Sequence, residues 1–519
     1  MGAAALRQFG APFLAGSLLA AAFPKLDLHV LVWFALAPLL VLAARSNPWV
    51  ALRTGFLFGF AFRGVTMYWV VHAMTLHGGL PWPAAVMGAG LLAGYMAAYW
   101  GLFALVVQQV GLRGPRSVLL IAVGWAGLEF FQGWFLTGFP WTPLGYAAGR
   151  SDVMIQTASL AGVAGLSFLA VLVNGALASW WLDRRTAHST MAMAGAFMAA
   201  ALVFGVWSLT GAQPSDERLK VGLVQGNVPQ DLKWDAGARR DILERHVDLT
   251  RRAATAGADL VLWPESSWPD PYGLERDPAA QALIAEVAAG HAVSVVVGTV
   301  RVDVEADGYE VANAAVLVDP QGAIRGAYEK SHLVPFGEYL PFQSLLRWLG
   351  PLVSAVGDMR AGAENQALLG AAVPGLPGFG MSICYEVIFP AIARGQVDHG
   401  ARFLATITND AWYGTTSGPY QHHAMARMRA VENRRWLVRA ANTGISGAFD
   451  PWGREFATTA LEEASAPVVD IGLRSDTTLY GRMGDALGFF MQVVALVLVA
   501  GALRGRPFFE RSTSGTDPV

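Results

Sequence analysis

The sequence is short of cysteine and of charge. It contains one cysteine, Cys384, among 519 residues, and one cysteine cannot form a disulfide within the chain. A fold stabilised by a disulfide framework is therefore excluded. Only 15% of the residues are charged, against about 25% in an ordinary soluble domain. Because a larger core alone cannot absorb that deficit, we expect part of the chain to lie in lipid.

The charges also lack a dominant sign. The sequence has 37 Lys and Arg against 39 Asp and Glu, for a formal net charge of −2. No global field therefore attracts nucleic acid, and we expect no nucleic-acid partner. The 18 Trp and 27 Phe suit a protein at a bilayer interface, where aromatic rings anchor well. We expect membrane lipids among its partners.

Long apolar runs fill the first 212 residues. Seven of them approach the roughly 20 residues that a helix needs to cross a bilayer. They lie at 9–23, 28–44, 55–72, 84–110, 117–136, 158–182 and 191–210. The runs predict a seven-helix transmembrane bundle over residues 1–212. An eighth run predicts a C-terminal transmembrane helix over 484–504, followed by a tail over 505–519.

Arginine residues predict the orientation of these spans. Arg45, Arg113, Arg184 and Arg504 fall on the same side of the alternating connections, which the positive-inside rule assigns to the cytoplasm. Seven crossings from a cytoplasmic N-terminus leave residue 211 on the opposite face. We therefore expect a multi-pass protein of a bacterial inner membrane, with the domain after residue 211 in the periplasm and the tail in the cytoplasm.

Residues 218–475 have the pattern of an α/β domain. KVGLVQ, ADLVLWP and AVSVVVGTV predict buried strands, and residues 239–256 and 278–289 predict amphipathic helices. VANAAVLVDPQGAIRGAYEK predicts two strands joined by an Asp-Pro-Gln-Gly turn. About 250 residues suffice for one such domain. The sequence thus predicts an α/β domain tethered to the membrane at both ends.

Four segments of this domain carry reactive side chains near predicted strand ends, where α/β proteins tend to build their sites. They are LVLWPESSW with Glu265, AYEKSHLVPFGEYLP with Lys330 and Glu338, GFGMSICYE with Cys384, and LATITNDAWYG with Asn409 and Asp410. A thiol nucleophile needs a base and a group that stabilises the oxyanion. Glu265 can be the base, and Lys330 can lower the thiol pKa and bind the developing charge.

Each of these residues has an ordinary alternative when it is taken singly. Cys384 can be a small buried apolar residue, Glu265 a surface carboxylate, Lys330 a solvated lysine, and Glu338 a turn cap. In their order along the chain, however, the strings WPE, EKSHLVPFGEY and CYE resemble the nitrilase superfamily. The apolar bundle narrows that resemblance to the apolipoprotein N-acyltransferase family, over nearly the whole chain.

The resemblance implies an αββα sandwich with a Glu–Lys–Cys triad. It implies that Glu265 is the general base, that Lys330 stabilises the tetrahedral intermediate, and that Cys384 is the nucleophile. It also implies that four further residues are needed for activity, namely Trp234, Glu338, Tyr385 and Glu386. No metal and no cofactor are implied. The implied substrates are a phospholipid acyl donor, commonly phosphatidylethanolamine, and a diacylated apolipoprotein acceptor.

Two rival functions remain open at this stage. A membrane-anchored amidase of the nitrilase type would use the same triad, with water as the second nucleophile. A transporter with an appended receptor domain would need ionisable residues inside the membrane, and the first seven predicted spans offer little beyond Arg63 and Glu129. Arg63 is also a candidate for contact with a phospholipid headgroup.

Two further patterns favour structure over chemistry. His422 and His423 are adjacent, which is not the i,i+4 spacing that puts two metal ligands on one helix face, so we expect no metal site there. Residues 424–440 read as a helix with five arginines. The predicted role of those arginines is a solvated or ion-paired helix face.

Overall fold

The N-terminal part of the chain is helical. The computed structural model describes residues 9–305, 308–342, 358–505 and 508. The helices of this part are α1 (Ala11–Ala20), α2 (Ala37–Ala44), α3 (Pro48–Thr66), α4 (Trp69–Leu76), α5 (Trp82–Val110), α6 (Pro115–Gln132), α7 (Leu144–Ala148), α8 (Asp152–Ile155), α9 (Ala158–Leu182) and α10 (Arg184–Thr210). Short 3-10 helices lie at His29–Trp33 and Phe135–Thr137.

Some of the helices are long and apolar enough to cross a membrane. Within the described residues there are four, at Trp82–Val110, Ala158–Leu182, Ala187–Thr210 and Ala486–Leu503. The pair α3 and α4 would be a fifth if its 54° bend lies within one span. The chain is therefore a membrane protein, whereas the predicted total of eight crossings and the domain boundaries stay predictions.

Two of the predicted runs are not continuous helices. Residues 28–44 divide into the 3-10 helix His29–Trp33 and α2. Residues 55–72 are interrupted after Thr66, at the bend between α3 and α4. The main-chain oxygen of Thr66 accepts a hydrogen bond from Gln421 Nε2 at 3.0 Å. A partner from a distant segment thus satisfies a carbonyl at the break, and the apolar pattern gives no sign of it.

The second part of the chain alternates strands and helices as predicted. Its strands are β1 (Arg218–Leu223), β2 (Leu260–Leu262), β3 (Ser294–Glu305), β4 (Gly308–Val318), β5 (Ile324–Glu329), β6 (Gly380–Ile383), β7 (Leu404–Thr408), β8 (Leu437–Ala441), β9 (Gly447–Phe449), β10 (Glu455–Phe456) and β11 (Val468–Gly472). Its helices are α11 (Arg239–Thr255), α12 (Pro278–His291), α13 (Pro390–Asp398) and α14 (Gly418–Asn433), followed by α15 (Leu479–Met483) and α16 (Ala486–Leu503). Both predicted helices and the predicted strands are confirmed.

Local signals account for several of these boundaries. Helix α12 begins after Asp277, whose side chain accepts from the amide of Ala280 at 3.0 Å, and Pro278 follows as its first residue. The turn between β4 and β5 is closed by Asp319, whose carboxylate accepts from the amide of Ala323 at 2.8 Å. Gly322 supplies the positive φ of that turn, at 81°.

The strands form two sheets. The first has the order β11-β1-β2-β3-β4-β5, with β1, β2 and β3 parallel and the other pairings antiparallel. The second has the order β10-β9-β8-β7-β6, with β6, β7 and β8 parallel. Buried apolar residues from both sheets form one core, which includes Val221, Leu262, Ile383 and Ile407. The sheets therefore pack face to face.

Helices cover the outer face of each sheet. Residues of α11 and α12, such as Val247 and Ile284, share a second core with the outer side of β2 and β3. On the other side, Met425 and Val431 of α14 belong to the same apolar cluster as the membrane bundle. The predicted αββα sandwich is confirmed, and one of its helical layers faces the bundle.

The predicted helix over 424–440 was wrong in its second half. Helix α14 ends at Asn433, and residues from Leu437 onward form β8. The side chains of all five arginines are buried, so the solvated alternative was wrong, whereas the ion-paired alternative is confirmed for Arg427, Arg429, Arg435 and Arg439. Arg427 pairs with Asp152 of the bundle, and Arg429 pairs with Glu432. Tertiary contacts, which the sequence pattern does not show, exclude solvent from these arginines.

The C-terminal helix returns to the bundle. Helix α16 packs against α6, where a Cβ on Gly127 would lie 2.1 Å from the main-chain oxygen of Met491. A glycine at this position lets the two backbones approach closely, as is common between membrane helices. The predicted tail 505–519 lies almost wholly outside the described residues.

Candidate active site

The predicted reactive residues lie at the ends of strands that meet at one edge of the sandwich. Glu265 follows β2, Lys330 directly follows β5, Cys384 directly follows β6, and Asn409 directly follows β7. Parallel strands bring their carboxyl ends to the same edge of a sheet, and the two sheets face each other. Four segments that are far apart in sequence therefore converge.

Glu265 is the centre of the resulting hydrogen-bond network. Its Oε1 accepts from Asn313 Nδ2 at 2.7 Å and from Lys330 Nζ at 3.4 Å. Its Oε2 accepts from the main-chain amide of Asn409 at 2.9 Å. Burial by itself would raise the pKa of Glu265, but Lys330 and these donors outweigh it and lower the pKa. Glu265 is therefore a carboxylate at neutral pH.

Lys330 is paired with two carboxylates. Its Nζ donates to Glu338 Oε1 at 2.8 Å as well as to Glu265, and its side chain is 1% exposed. Glu338 is held in turn, since its Oε1 accepts from Asn313 Nδ2 at 3.0 Å and its Oε2 from the amide of Val334 at 2.8 Å. Burial opposes the charge on Lys330, but Glu338 and Glu265 raise its pKa above the ordinary value. The ammonium group is thus retained.

Cys384 begins a turn of 3-10 helix after β6. The side chain is buried, and the main chain has φ of +51°, a left-handed conformation that is rare for a residue with a Cβ. Burial raises the pKa of the thiol, Glu265 and Asp410 raise it further, and Lys330 lowers it. The resting group is therefore a neutral thiol, and a thiol is a good nucleophile only after a base has removed its proton.

Glu386 joins the cysteine segment to the lysine segment. Its Oε2 accepts from the amide of Ile383 at 2.7 Å. Its Oε1 accepts from the amide and the hydroxyl of Ser331, both at 2.7 Å, and from the Tyr328 hydroxyl at 2.9 Å. The carboxylate therefore fixes the residues that directly precede Cys384 and directly follow Lys330.

Tyr385 and Trp234 lie outside this buried network. The Tyr385 hydroxyl donates to the main-chain oxygen of Gly138 in the bundle at 3.2 Å, and its ring packs on Phe389 with centroids 5.1 Å apart. Trp234 is 48% exposed. The structure thus brings Glu265, Lys330 and Glu338 into direct contact, whereas the predicted role of Trp234 stays a prediction.

Three residues of the site were missed from the sequence. Asn313 bridges the two glutamates, and a polar residue inside the apolar strand β4 was the signal available. Lys233 is 1% exposed and donates to the main-chain oxygen of Glu265 at 2.8 Å, and burial lowers its pKa to about 7. His422 Nε2 lies 3.0 Å from the main-chain oxygen of Cys384. Nothing in the sequence around Lys233 distinguishes it, and His422 was considered from the sequence only as a metal ligand beside His423.

The groups at this site suit acyl chemistry without a metal. Within the described ranges, no group of three or more His, Cys, Asp or Glu side chains is arranged to hold a metal ion. A thiol, a carboxylate and an ammonium group instead lie among buried hydrogen-bond donors. Such an arrangement can attack a carbonyl, accept the thiol proton and stabilise an oxyanion.

Comparison with known proteins assigns the chain to a family. A family model described as Apolipoprotein N-acyltransferase N-terminal domain matches residues 15–176, and one described as Carbon-nitrogen hydrolase matches residues 220–475. The apolipoprotein N-acyltransferase of Geobacter metallireducens is 35% identical over 96% of this chain and 96% of its own length. That of Gloeobacter violaceus is 35% identical over 95% and 92%.

Among solved structures, an amidase from Nesterenkonia sp. is 20% identical, covers 53% of this chain and 95% of its own, and has a TM-score of 0.38. That likeness is weak, and the assignment does not depend on it. The curated relatives cover nearly the whole chain, including both the helical part and the α/β part. The chain belongs to the apolipoprotein N-acyltransferase family.

Proposed function

We propose that this protein transfers a fatty acyl group from a phospholipid, such as phosphatidylethanolamine, to the α-amino group of the N-terminal diacylglyceryl-cysteine of apolipoproteins. The acyl group is carried as a thioester on Cys384, so the reaction is of the ping-pong type. One observation carries the proposal. In a membrane protein of this family, the predicted base and cation are in contact at 3.4 Å, and the buried thiol of Cys384 lies at the end of β6 at the same edge of the sandwich.

The first half-reaction forms the thioester. Glu265 accepts the thiol proton as the sulfur of Cys384 attacks the ester carbonyl of the phospholipid. Lys330 stabilises the oxyanion of the tetrahedral intermediate, and the intermediate collapses as the ester oxygen leaves. Glu265 returns its proton to that oxygen, so the products are a lysophospholipid and the acyl-enzyme. The lowered pKa of Glu265 and the raised pKa of the thiol make this transfer uphill before attack, so proton transfer accompanies bond formation.

The second half-reaction transfers the acyl group to the amine. The neutral α-amino group attacks the thioester carbonyl, Lys330 again stabilises the oxyanion, and the thiolate of Cys384 leaves. Glu265 accepts the proton from the nitrogen and passes it to the sulfur, which restores the resting enzyme. Glu338 holds Lys330 in place through both steps, as its 2.8 Å contact suggests. No metal and no cofactor are needed for this sequence.

The membrane part of the chain fits substrates that are both lipids. Neither substrate leaves a bilayer easily, and a tethered site can act on them without extraction. We propose that the protein lies in a bacterial inner membrane with the catalytic domain on the periplasmic side and residues 505–519 in the cytoplasm. The arginine-rich connections support this orientation.

Labelling with donor lipid alone tests the proposal. Purified protein is incubated with phosphatidylethanolamine, and its intact mass is measured. We expect an adduct of one acyl chain on the wild type and none on Cys384→Ala, since the chain has no other cysteine. Glu338→Ala should still acquire some adduct but should turn over poorly, because Lys330 loses its closer carboxylate partner. An unlabelled wild type, or a labelled Cys384→Ala, would contradict the thioester mechanism.

Adding the second substrate separates transfer from hydrolysis. A diacylated lipopeptide with a free α-amino group should remove the adduct and gain the acyl chain. A control lipopeptide with an acetylated amine should leave the adduct in place. Release of free fatty acid at the same rate with either peptide would instead support the membrane-anchored amidase alternative.

A further inference from the structure

The dipeptide Gln421–His422 on α14 lies between the nucleophile and the membrane bundle. We propose that both are positioning residues, with His422 fixing the main chain of Cys384 and Gln421 tying that contact to the bundle. The reactive geometry of the thiol then depends on how the bundle packs against the catalytic domain. This inference rests on the proposed function of Cys384.

The main chain of Cys384 needs such support. A left-handed conformation is unfavourable for a residue with a Cβ, and it persists only where the surroundings fix it. Two hydrogen bonds flank the strained residue. Ile383 N donates to Glu386 Oε2 at 2.7 Å on one side, and His422 Nε2 lies 3.0 Å from the carbonyl oxygen of Cys384 on the other. The first contact is local, whereas the second comes from another helix.

His422 is itself fixed by a buried charged pair. Its Nδ1 lies 3.0 Å from Asp410 Oδ1, and Asp410 Oδ2 accepts from Arg439 Nη2 at 2.6 Å. Thr408 Oγ1 also donates to Asp410 Oδ1, at 2.9 Å. A carbonyl oxygen and a carboxylate oxygen can only accept, so His422 donates to both Cys384 and Asp410 when its ring is charged, and through one nitrogen when the ring is neutral. Arg439 Nη2 lies 3.2 Å from Nδ1, and a donor at that position favours the neutral tautomer with its proton on Nε2, where it faces the carbonyl of Cys384.

Stability alone does not explain this cluster. The side chains of His422, Asp410 and Arg439 are all 0% exposed, so each has lost its hydration. Well-packed apolar residues in place of a buried ion pair are often neutral or stabilising. The cluster instead contacts the main-chain carbonyl of Cys384 through His422, and hydrogen bonds are directional. It is therefore suited to fixing the orientation of Cys384.

All the hydrogen bonds that the structure describes for the side-chain amide of Gln421 are to the bundle. Its Oε1 accepts two indole N–H groups, at 2.7 and 3.2 Å, and its Nε2 donates to two main-chain oxygens, at 3.0 and 3.2 Å. The four partners are Trp141, Trp69, Thr66 and Pro24. They come from different segments of the bundle. The four hydrogen bonds can therefore form together only when these segments are correctly placed relative to one another.

Trp141 connects the two residues of the dipeptide. Its indole donates to Gln421, and its ring also stacks on His422, with centroids 5.8 Å apart and planes at 26°. A shift of this ring relative to α14 would therefore move both contacts. Misplacement of a reacting group by about 1 Å can cost on the order of 100-fold in rate. Such a shift would not have to touch the thiol to slow its attack.

Two variants of His422 test the contact with Cys384. His422→Leu removes the donor, whereas His422→Gln keeps an N–H group near the position of Nε2. Acyl-adduct formation with phosphatidylethanolamine should fall about 100-fold in His422→Leu and stay within about 10-fold of wild type in His422→Gln. Alkylation of Cys384 by iodoacetamide, which needs the thiolate but tolerates many orientations, should change by no more than about 3-fold in either variant.

Several results would overturn the role of His422. Labelling of a folded His422→Leu near the wild-type rate would do so, as would a His422→Gln no faster than His422→Leu. An equal fall in the rates of acylation and alkylation would mean that His422 affects ionisation of the thiol and not the orientation of Cys384. A wild type that forms no adduct at all would refute the proposed function instead, and the two failures are thus distinguishable.

A matched pair of tryptophan variants tests the link to the bundle. This test can be made even if His422→Leu does not fold. Trp141→Phe keeps an aromatic ring but loses the hydrogen bond to Gln421, and labelling should slow about 10-fold. Trp100→Phe is the control, because Trp100 is also fully buried in the bundle and its Nε1 has no hydrogen-bond partner among the described residues. Its labelling rate should stay within about 2-fold of wild type. Equal rates for the two variants would refute the link.

Discussion

Replacing Lys330 by Met tests whether the charge cluster at the site exists as described. Lys330 neutralises Glu265 and Glu338, whose side chains are 8% and 13% exposed. Methionine keeps most of the side-chain volume but leaves the buried carboxylate of Glu265 and the half-buried carboxylate of Glu338 close together without the ammonium group that contacts both. Removing one partner of a buried ion pair typically destabilises a protein by about 3–5 kcal/mol. We expect a loss of stability of that size.

The expected change in melting temperature follows from the size of the domain. For domains of 150–250 residues, about 1 kcal/mol shifts Tm by roughly 2–4 °C, so Lys330→Met should lower Tm by roughly 6–20 °C. Intrinsic tryptophan fluorescence of protein in detergent can follow the transition. Lys220→Met is the matched control, because Lys220 lies on β1 with its side chain exposed. That control should unfold within about 2 °C of wild type.

The destabilisation caused by Lys330→Met should be larger at high pH than at low pH. In wild type the pKa of Glu265 is lowered, so Glu265 contributes stability above the pKa of the unfolded chain, and that contribution is lost as the pH falls through the folded value. Without Lys330, burial and the neighbouring negative charge should raise the pKa of Glu265 instead. The penalty is then full at about pH 8 and shrinks toward about pH 5, where a carboxyl group accepts a proton.

A double variant separates charge from packing. Lys330→Met with Glu338→Gln leaves one buried carboxylate instead of two, and it should recover part of the lost stability at neutral pH. The reasoning is refuted if Lys330→Met melts like Lys220→Met. It is also refuted if the loss is the same at both pH values, because the destabilisation would then come from packing alone.

Two further predictions concern buried groups near the thiol. The pKa of Lys233 is lowered to about 7, so the unfolded chain binds a proton more tightly than the folded protein does. Between pH 7 and 10.5 the free energy of unfolding of wild type should therefore rise by up to about 4 kcal/mol relative to that of Lys233→Met. Parallel stability curves for the two proteins in pH-dependent melting would contradict this. Wild-type Glu386 accepts from the amides of Ile383 and Ser331 through its two carboxylate oxygens, and Glu386→Gln replaces one of those oxygens with an NH2 donor that faces another donor. It should destabilise by about 1–3 kcal/mol and slow acyl labelling, while exposed Glu364→Gln changes neither.

The sequence by itself determined the architecture and the chemical class. Low charge and long apolar runs required lipid, and alternating strand and helix patterns required an α/β domain, because these follow from local hydrophobic periodicity. Glu265, Lys330, Glu338 and Cys384 could be identified because the strings WPE, EKSHLVPFGEY and CYE resemble the nitrilase superfamily, and because the resemblance supplies the base and the cation that a thiol nucleophile needs. Their convergence follows from strand ends meeting at one edge.

The tertiary structure alone decided the surroundings of the thiol. Asn313, Lys233 and His422 reach the site through contacts over tens of residues, and no local pattern encodes such contacts. The sequence predicted a solvated or ion-paired face for the arginines of 424–440 and could not decide between the two, because sequence shows composition and not burial. The burial of Arg427 and Arg434 depends on contacts with the bundle, which only the folded chain brings there, whereas Arg439 is buried against Asp410 within the α/β domain.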